Sequence, residues 1–408
     1  MKILLLGYGV EGKAAENYFK SHFEDAKIDI LENFAPAEIK QGDYSSYDII
    51  MRSPSVPPLN LPNESSVTKY FFDHCPCPII GVTATKGKGT TCSFIKSLLE
   101  AHNEDAYLVG NIGEPAINTL DNLKPTSVVV YEMSSFQLWD LQKSPHIAIV
   151  GQIEPDHLNV HDGYDDYLNA KGNICRHQSA DDYCVYYKDN PESIKLADLS
   201  TAKKVSFPFE IPDDVKNAIT IPGEHNVNNA LAAIAAVACY KNISPDEYIR
   251  ANKTEIIKGL SNFRGLPHRL EFLRELNNVK YYDDNFSTNP SSTRVAVNAF
   301  PNDNLVVIVG GRDKTENKDI PEIYEILKSP QIKDIILMGE SGHELANRYD
   351  DTRFTVVESL EEAVKTAREK AEKQAPSIVL MSPSAASFDM FENVYDRGTQ
   401  YKLLISNF

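Results

Sequence analysis

The stretch Gly81-Val-Thr-Ala-Thr-Lys-Gly-Lys-Gly-Thr-Thr91 follows a short apolar run and precedes a segment of helical character at 92–101. A glycine-bearing turn between a strand and a helix lets backbone N–H groups and the helix dipole hold phosphates. Lys88 stands where a lysine reaches the β- and γ-phosphates of a nucleotide. Because Gly89 follows that lysine, Thr90 or Thr91 must supply the hydroxyl for magnesium. The stretch predicts a nucleotide-binding loop rather than a glycine turn without a ligand.

Apolar runs alternate with amphipathic segments on both sides of this loop, which predicts an α/β fold built on parallel sheets. Two breaks interrupt the pattern, DHCPCP at 73–78 and NFRGLPH at 262–268. We therefore predict three domains. They are an N-terminal Rossmann-like domain at 1–77, a central P-loop ATPase-type domain with a parallel or mixed sheet at 78–264, and a C-terminal Rossmann-like domain at 265–408.

The charge balance restricts the class of partner. The 408 residues include 41 Lys and Arg and 58 Asp and Glu, for a formal net charge of −17. A phosphate backbone would repel so acidic a chain, which argues against a nucleic-acid partner. No apolar run approaches the roughly 20 residues of a membrane helix, and the N-terminal run is too short for a signal peptide, so we expect no membrane association.

The six cysteines lack the spacing of a disulfide framework, which favours a reduced, cytoplasmic setting. The cluster His74-Cys75-Pro76-Cys77 has the residue types of half a zinc site. Because no second ligand pair stands at zinc-finger spacing, we interpret its thiols as plain buried cysteines.

Near the N-terminus, Gly7-Tyr-Gly-Val-Glu-Gly12 follows an apolar run, and Glu32 stands about 20 residues later, as in the dinucleotide-binding fingerprint. Alone, this pattern is a weak signal, and an oxidoreductase is one interpretation of it. A second phosphate loop follows it, however, and nothing else in the chain suggests hydride transfer. A diphosphate-containing ligand other than NAD is the better interpretation.

Two later apolar runs end in residue types that bind metals. Glu132 closes the run at 128–131, where a carboxylate can hold magnesium beside a phosphate loop. His157 follows the run at 147–150 in a corresponding position. The alternative for Glu132 is a helix-capping acid paired with Ser134, and the alternative for His157 is an ordinary surface histidine. The matching positions of Glu132 and His157 after their strands favour metal ligands. For Lys171, its charge alone predicts a solvated lysine on a helix.

The motifs taken together resemble those of the Mur ligase superfamily, in order and over essentially the whole chain. The motifs that carry the resemblance are Gly110-Asn-Ile-Gly-Glu-Pro115, Glu132-Met-Ser-Ser-Phe-Gln-Leu138, Asp156-His157 with His161, Ala170-Lys171, Gly223-Glu-His-Asn-Val-Asn-Asn-Ala230, Gly265-Leu-Pro-His-Arg-Leu-Glu271, Asp284 with Thr288-Asn289-Pro290, Gly310-Gly311 with Lys314, and Ser382-Pro-Ser-Ala-Ala-Ser-Phe-Asp389.

The resemblance implies an ATP-dependent amide ligase of peptidoglycan precursor synthesis, which adds D-glutamate to UDP-N-acetylmuramoyl-L-alanine. ATP would phosphorylate the free carboxylate of the UDP-sugar amino acid, and the amine of D-glutamate would attack the resulting acyl phosphate. The resemblance further implies ATP and two magnesium ions as cofactors, carbamylation of Lys171 to an anion, and a monomeric protein.

Residue roles follow from the matched motifs. The resemblance implies catalytic roles for Lys88, Lys171, His157 and Arg269, and metal ligation by Thr90, Glu132, His157 and carbamylated Lys171. ATP would be bound by Thr85, Lys86, Gly87, Lys88, Gly89, Thr90, Thr91, Asn226, Asn229, Arg269 and Asp284. The UDP-substrate would be bound by Gly9, Val10, Glu11, Glu32, Ser53, Asn111, Ser134 and Gln137. The acceptor amino acid would be bound by Thr288, Lys314, Ser387 and Phe388.

Three alternatives remain. Phe286 stands where the family commonly has a lysine, and Val394 where it has an aromatic residue, so a Mur-type ligase with a different acceptor is one. A folylpolyglutamate synthase-like ligase shares the Gly89 variant, but it lacks the glycine-rich domain ahead of the loop. A nucleotide-binding regulator without catalysis would not need Glu132, His157 and Lys171 together.

Overall fold

The computed structural model describes residues 1–35, 39, 42–158, 160–313 and 315–408. These residues form two compact units. The first comprises Met1–Ile219 and His225–Phe263, and the second comprises Thr220–Glu224 and Arg264–Phe408. The first unit contains two sheets and the second contains one. The division into three domains at 77 and 264 stays a prediction.

The first sheet of unit 1 is parallel, with the strand order β2-β1-β3-β4. Its strands are β1 (Lys2–Leu6), β2 (Lys27–Leu31), β3 (Ile49–Arg52) and β4 (Glu64–Ser66). The helices that accompany it are α1 (Val10–His22) and α2 (Val67–His74). The apolar run of β1 is buried, and Phe19 of α1 packs on it. Ser66 caps α2 by accepting from the backbone N–H of Lys69.

The second sheet of unit 1 has the order β10-β9-β8-β5-β7-β6, and its described pairings are parallel throughout. Its strands are β5 (Ile79–Thr83), β6 (Ala106–Gly110), β7 (Val128–Glu132), β8 (Ile147–Val150), β9 (Tyr183–Tyr187) and β10 (Lys203–Phe207). The three central strands are buried along their whole length and are mainly apolar, as expected for parallel strands covered on both faces.

Helices surround this second sheet. They are α3 (Lys88–Ala101), a 3₁₀ helix (Ala116–Asn122), α4 (Ser135–Leu138), α5 (Gly163–Arg176), α6 (Pro191–Ala197), α7 (Asp213–Asn217), α8 (Glu224–Tyr240), α9 (Pro245–Ala251) and α10 (Lys253–Asn262). The chain leaves β5 toward one side of the sheet and crosses to the other side after β7. Ligands of open α/β sheets bind beyond the carboxyl ends of the strands at such a reversal.

Unit 2 contains a sheet of order β11-β12-β16-β13-β14-β15. Its strands are β11 (Glu271–Leu276), β12 (Val279–Asp283), β13 (Leu305–Val309), β14 (Ile332–Leu337), β15 (Phe354–Val356) and β16 (Ser377–Met381). Its helices are α11 (Pro290–Asn298), α12 (Ile320–Leu327), α13 (Gly339–Arg348), α14 (Leu360–Glu372) and α15 (Val394–Ser406).

The predicted α/β fold is confirmed, with one difference in the third sheet. The edge strand β11 runs antiparallel to β12, while the other described pairings of that sheet are parallel. The cause is the two-residue turn Asn277-Asn278, in which both residues have positive φ angles, 54° and 60°. Such turns join antiparallel strands directly, whereas parallel strands need a long crossover.

Among the helices of the described residues, none combines the length and the apolar character that crossing a membrane would require.

Candidate functional site

The phosphate loop lies between β5 and α3, at the carboxyl edge of the second sheet. Gly87 occupies the N-cap position of α3 with a φ of +84°, a conformation that glycine adopts without a steric penalty. The Lys88 ammonium donates hydrogen bonds to the carbonyl oxygens of Ala84 at 2.9 Å and Thr85 at 3.1 Å. The loop therefore holds a positive charge at the N-terminus of α3, which is the arrangement an anionic ligand requires.

Two asparagines of α8 lie against this loop. The Thr91 hydroxyl donates to Oδ1 of Asn229 at 3.3 Å, and Nδ2 of Asn229 donates to Oδ1 of Asn226 at 3.3 Å. The structure thus brings the predicted ATP-binding residues Asn226 and Asn229 next to the loop. Thr91 is buried and turned toward Asn229, whereas Thr90 is half-buried. Of the two hydroxyls that the sequence offered for magnesium, the structure favours Thr90.

Lys171 reaches the same loop from α5. Its side chain is 2% exposed, and its ammonium donates to the Ala84 carbonyl oxygen at 2.9 Å and to the Thr83 hydroxyl at 3.2 Å. The interpretation of Lys171 as a solvated helix lysine is therefore wrong. Burial, and secondarily the charge of Lys88, lowers the pKa of Lys171 well below its ordinary value.

Glu132 ends β7, which is hydrogen-bonded to β5, so its carboxylate lies at the same sheet edge as the loop. The side chain is buried, and Oε1 accepts a hydrogen bond from Nδ2 of Asn111 at 3.2 Å. Asn111 is itself the residue after β6. A buried carboxylate beside a phosphate loop offers the hard oxygen ligands that magnesium takes.

His157 lies on the loop after β8 and is exposed. Its φ is +54°, its ring centroid lies 5.0 Å from that of Phe136, and its Nε2 is 3.5 Å from Oδ2 of Asp156. Asn159, two residues later, lies outside the described residues. The structure therefore puts His157 on an outward-facing loop, while Glu132 and Lys171 are buried.

His161 follows on the same loop and is a residue whose role sequence reasoning missed. Its Nδ1 lies 2.8 Å from Oδ2 of Asp166, and its Nε2 lies 2.9 Å from Oγ of Ser135. Its ring stacks on Phe136 at 5.3 Å. Although a Ser–His–Asp order can form a nucleophilic triad, Ser135 and His161 are both buried, so this arrangement fixes the loop to α4 and α5. The sequence analysis matched His161 to a family motif together with Asp156-His157 but assigned it no role of its own.

The side-chain amide of Gln137 connects α4, which lies beside the second sheet of unit 1, to α1, which accompanies the first. Its Oε1 accepts from the backbone N–H and the hydroxyl of Ser134, at 2.9 and 3.1 Å. Its Nε2 donates to Oε1 of Glu11, near the start of α1, at 2.8 Å. The other oxygen of Glu11, Oε2, is buried and has no hydrogen-bond partner among the described residues. Burial raises the pKa of Glu11 to about 7.

The remaining residues predicted for the UDP-substrate lie at the carboxyl edge of the first sheet. Gly9 is the N-cap of α1, and Val10 after it is 74% exposed. Glu32 follows β2 and is exposed, and Ser53 follows β3 and is buried. Because β2, β1 and β3 are neighbours and parallel, these positions share one edge.

In unit 2, Asp284 follows β12 and is buried. Its carboxylate accepts from Ser287, from the Ser382 hydroxyl at 2.7 Å and from the Leu270 backbone N–H at 3.2 Å. Burial raises the pKa of Asp284 to about 7. Arg269 is exposed, and its guanidinium carbon lies 5.7 Å from the ring centroid of Phe286, within cation–π range.

The residues predicted for the acceptor amino acid are also in unit 2. Ser387 is buried, and its hydroxyl has no hydrogen-bond partner among the described residues. Thr288 is half-buried, and Phe388 is 67% exposed. Lys314 lies outside the described residues.

Arg397, on α15, is a second residue that sequence reasoning missed. Its guanidinium is buried and donates to the carbonyl oxygens of Ala385 at 3.1 Å and Ala386 at 3.2 Å, and to Asn285. Burial lowers its pKa to about 10. Arg397 therefore holds the backbone just before Ser387. An arginine in the first turn of a helix gives no sequence signal of this role.

Two family models and several named relatives match this chain. The family model of the Mur ligase middle domain matches residues 82–218, and that of the Mur ligase, glutamate ligase domain matches residues 268–385. A relative from Acetivibrio thermocellus, named UDP-N-acetylmuramoylalanine–D-glutamate ligase, is 32% identical over 97% of this chain and 90% of its own length. A relative of the same name from Clostridioides difficile is 34% identical over 90% of this chain and 85% of its own.

The fold also has solved counterparts. The crystal structure of the MurF ligase from Thermotoga maritima in complex with ADP aligns with a TM-score of 0.60. The alignment covers 99% of this chain and 95% of that chain, at 13% sequence identity. At this identity the likeness concerns the fold alone.

Gly87 provides a test of the loop geometry. A Cβ at this position would lie 2.6 Å from Oδ1 of Asn229, in addition to the strain of a positive φ. We expect Gly87→Ala to weaken ADP binding at least about tenfold, which corresponds to about 1.4 kcal/mol, as measured by calorimetric titration. Gly163→Ala is the matched control, because Gly163 has a φ of +83° but a methyl group there would meet no described atom within 4 Å. Equal losses in both variants would contradict a specific clash with Asn229.

Glu11 makes stability depend on pH. Its pKa is about 7 in the folded chain and 4.5 without the surroundings of the fold, so between these values the folded chain binds more protons than the unfolded one. Stability should therefore fall as pH rises from about 4.5 to 7, by about 3 kcal/mol at most. Glu11→Gln removes the ionisable group. Between pH 5 and pH 8 the free energy of unfolding of the variant should therefore fall less than that of the wild type.

Urea unfolding of wild type and variant at several pH values measures this difference. Glu24→Gln, which changes an exposed glutamate, is the control and should follow the wild-type curve. A Glu11→Gln curve parallel to the wild-type curve would contradict the burial of an ionised Glu11.

Proposed function

This chain belongs to the Mur ligase family, and from that premise we propose that it joins D-glutamate to UDP-N-acetylmuramoyl-L-alanine with ATP, in peptidoglycan precursor synthesis. The family resemblance of the motifs is thereby confirmed. The names of both relatives support this acceptor and this donor, at 32% and 34% identity over most of the chain.

The convergence of two lysines on one carbonyl oxygen is the observation that carries the proposal. Lys88 and Lys171 both donate to Ala84 at 2.9 Å, one from each side of the phosphate loop. Phosphate binding alone is served by Lys88 and the N-terminus of α3. A second, fully buried lysine at the same loop is costly unless its amine is neutral or chemically modified. This arrangement supports catalysis and disfavours a nucleotide-binding regulator.

The reaction would proceed in two steps, phosphoryl transfer and amide formation. The substrate carboxylate attacks the γ-phosphorus of ATP, the bond to the β-phosphate oxygen breaks, and ADP leaves. The amine of D-glutamate then attacks the acyl phosphate, an amide forms, and inorganic phosphate and a proton are released. Lys88 and the backbone N–H groups of α3 would stabilise charge on the transferring phosphoryl group. Arg269 would contribute a further positive charge.

Thr90, Glu132 and Lys171 fit the proposed magnesium ions, because they lie at the sheet edge that carries the phosphate loop, whereas His157 lies on the exposed loop after the neighbouring strand β8. Thr90, Glu132, His157 and a carbamate on Lys171 would hold the ions, and Glu132 presents a buried carboxylate that accepts from the Asn111 amide. When bound, the ions would screen the repulsion between the triphosphate and the substrate carboxylate. The lowered pKa of Lys171 supports carbamylation, since carbon dioxide reacts with the neutral amine.

The remaining roles follow the matched motifs. Asn226, Asn229 and Asp284 would hold the nucleotide. The carboxyl edge of the first sheet, with Gly9, Glu32 and Ser53, would bind the UDP end. Ser387, with Lys314 and Thr288, would bind the carboxylates of D-glutamate. The buried Ser387 hydroxyl, to which no group of the described residues hydrogen-bonds, supports that role. We further propose that the protein is a cytoplasmic monomer that binds neither nucleic acid nor membrane.

The acceptor is tested by ADP release with UDP-N-acetylmuramoyl-L-alanine and ATP-Mg. We expect turnover with D-glutamate and none with L-glutamate or other amino acids. Turnover only with another amino acid would leave the ligase mechanism intact and overturn the acceptor. Turnover only with a folate donor would favour the folylpolyglutamate synthase alternative.

The same assay tests Ser387. Ser387→Ala removes a hydrogen bond to a charged group, so kcat/KM for D-glutamate should fall by roughly tenfold to a hundredfold. The KM for ATP should not change. Ser384→Ala is the matched control, because the Ser384 hydroxyl on the same loop is also buried, likewise has no hydrogen-bond partner among the described residues, and has no predicted role. Equal effects of the two variants would argue for a structural cause.

The carbamate is tested without turnover. Protein equilibrated with ¹³C-bicarbonate should show one slowly exchanging carbamate carbon resonance by NMR. Lys171→Arg should abolish that resonance. Lys204→Arg, at a lysine paired with Asp198 on the surface, should retain it. A resonance that survives Lys171→Arg would refute the assignment.

A further inference from the structure

Cys75 and Cys77 bring two thiols together at the junction between the sheets of unit 1. Their sulfur atoms lie 3.7 Å apart, and the Cys75 thiol is also 3.5 Å from the Cys77 carbonyl oxygen. Cys75 is the C-cap residue of α2, and Cys77 stands two residues before β5. The pair therefore spans the end of one element and the start of the strand that leads into the phosphate loop.

The sequence Cys75-Pro-Cys-Pro78 restricts this juxtaposition. Pro76 fixes its own φ, and each cysteine precedes a proline, which favours an extended backbone. Two residues of chain reach at most about 7 Å, and disulfides join Cα atoms about 4.4–6.8 Å apart. A disulfide is therefore within reach, but near the limit. Disulfides closed at such a limit are the readily reducible ones.

The pair differs from the other cysteines in access. Cys75 and Cys77 are half-buried, whereas Cys92, Cys175, Cys184 and Cys239 are buried. Their interpretation as plain buried thiols is thus incomplete. Cys175 and Cys184 interact with each other inside the core, so the chain contains a second thiol pair that reagents cannot reach.

The two thiols are not equivalent. The hydrogen bond from the Cys77 thiol lowers the pKa of Cys75. The same contact, burial and the nearby Asp105 carboxylate raise the pKa of Cys77. Because the thiolate is the nucleophile, Cys75 is the residue that attacks first.

We propose that Cys75 and Cys77 form a reversible thiol–disulfide site that exchanges with low-molecular-weight disulfides. The Cys75 thiolate attacks one sulfur of the small disulfide and releases the first small thiol as thiolate. Cys77 then loses its proton to solvent and attacks the Cys75 sulfur, which releases the second. The dithiol loses two electrons, and the small disulfide gains them as it becomes two thiols.

The proposed disulfide between Cys75 and Cys77 would be transient. Disulfides in reducing compartments are mostly catalytic or redox-sensing rather than structural. Closing the ring would tie the C-cap residue of α2 to Cys77, two residues before β5. Phe71 of α2 packs edge-on against Tyr131 of β7, at 5.5 Å, so the site adjoins the contact between the two sheets.

Oxidised glutathione serves as the probe with the full, folded chain. After a timed incubation, free thiols are alkylated under denaturing conditions, and the peptide containing both residues is weighed. We expect that peptide to lose two hydrogen atoms without a retained glutathione, and dithiothreitol to reverse the change. Retained glutathione on the wild type, or oxidation only in denaturant, would overturn the proposal.

Two variants test the order of attack. Cys77→Ser should accumulate a glutathione adduct at Cys75, whereas Cys75→Ser should react at Cys77 at least tenfold more slowly. Equal rates would overturn the assigned nucleophile. Cys175→Ser is the matched control and should react as the wild type does. The assay is repeated with Zn²⁺, and stoichiometric protection of both thiols by Zn²⁺, with no disulfide formed in its absence, would indicate a metal site instead and overturn the proposal. Circular dichroism verifies that each variant is folded.

Discussion

The site depends on the hydrogen bonds that the Lys88 and Lys171 ammonium groups both donate to the Ala84 carbonyl oxygen. Lys88 approaches it from the helix after β5, and Lys171 approaches it from α5. Two positive charges that share one acceptor repel strongly in a buried setting. The repulsion is relieved when Lys171 gives up its proton. Burial and the charge of Lys88 both lower the pKa of Lys171 and so favour its neutral amine, which is the form that the proposed carbamylation requires.

The fold supplies the conditions for that arrangement. β5 lies between β8 and β7, and all three run in the same direction, so the residues that follow them meet at one edge. The strands are buried along their length and leave the backbone little freedom. Thr85 is tied to the next loop by its backbone N–H, which donates to Gln152 at 2.8 Å, and by its hydroxyl, which donates to Glu154. His161 holds the outer part of that loop through Ser135 and Asp166.

Local patterns explain which parts of this structure the sequence predicts. The phosphate loop, the α/β alternation and the position of Glu132 at a strand end all follow from short stretches of residues. The burial of Lys171 does not, because it depends on α5 packing against β5, almost ninety residues away in the chain. The same holds for the guanidinium of Arg397, whose acceptors at Asn285 lie far upstream. The sequence analysis did not predict the turn Asn277-Asn278, although asparagine is a residue type that tolerates positive φ, and the antiparallel direction of β11 follows from that turn.

The position of Arg397 also has a consequence for the order in which the chain takes shape during synthesis. The backbone at 385–387 finds its hydrogen-bond donors on a helix that begins at Val394, after that backbone in the chain. Ribosomes add about 5–20 residues per second and release them from the N-terminal end first. The segment that carries Ser387 is therefore translated before Arg397. Until Arg397 is present, the backbone of this segment lacks the hydrogen bonds that Arg397 donates. Its final conformation is therefore reached only after Arg397 has been translated.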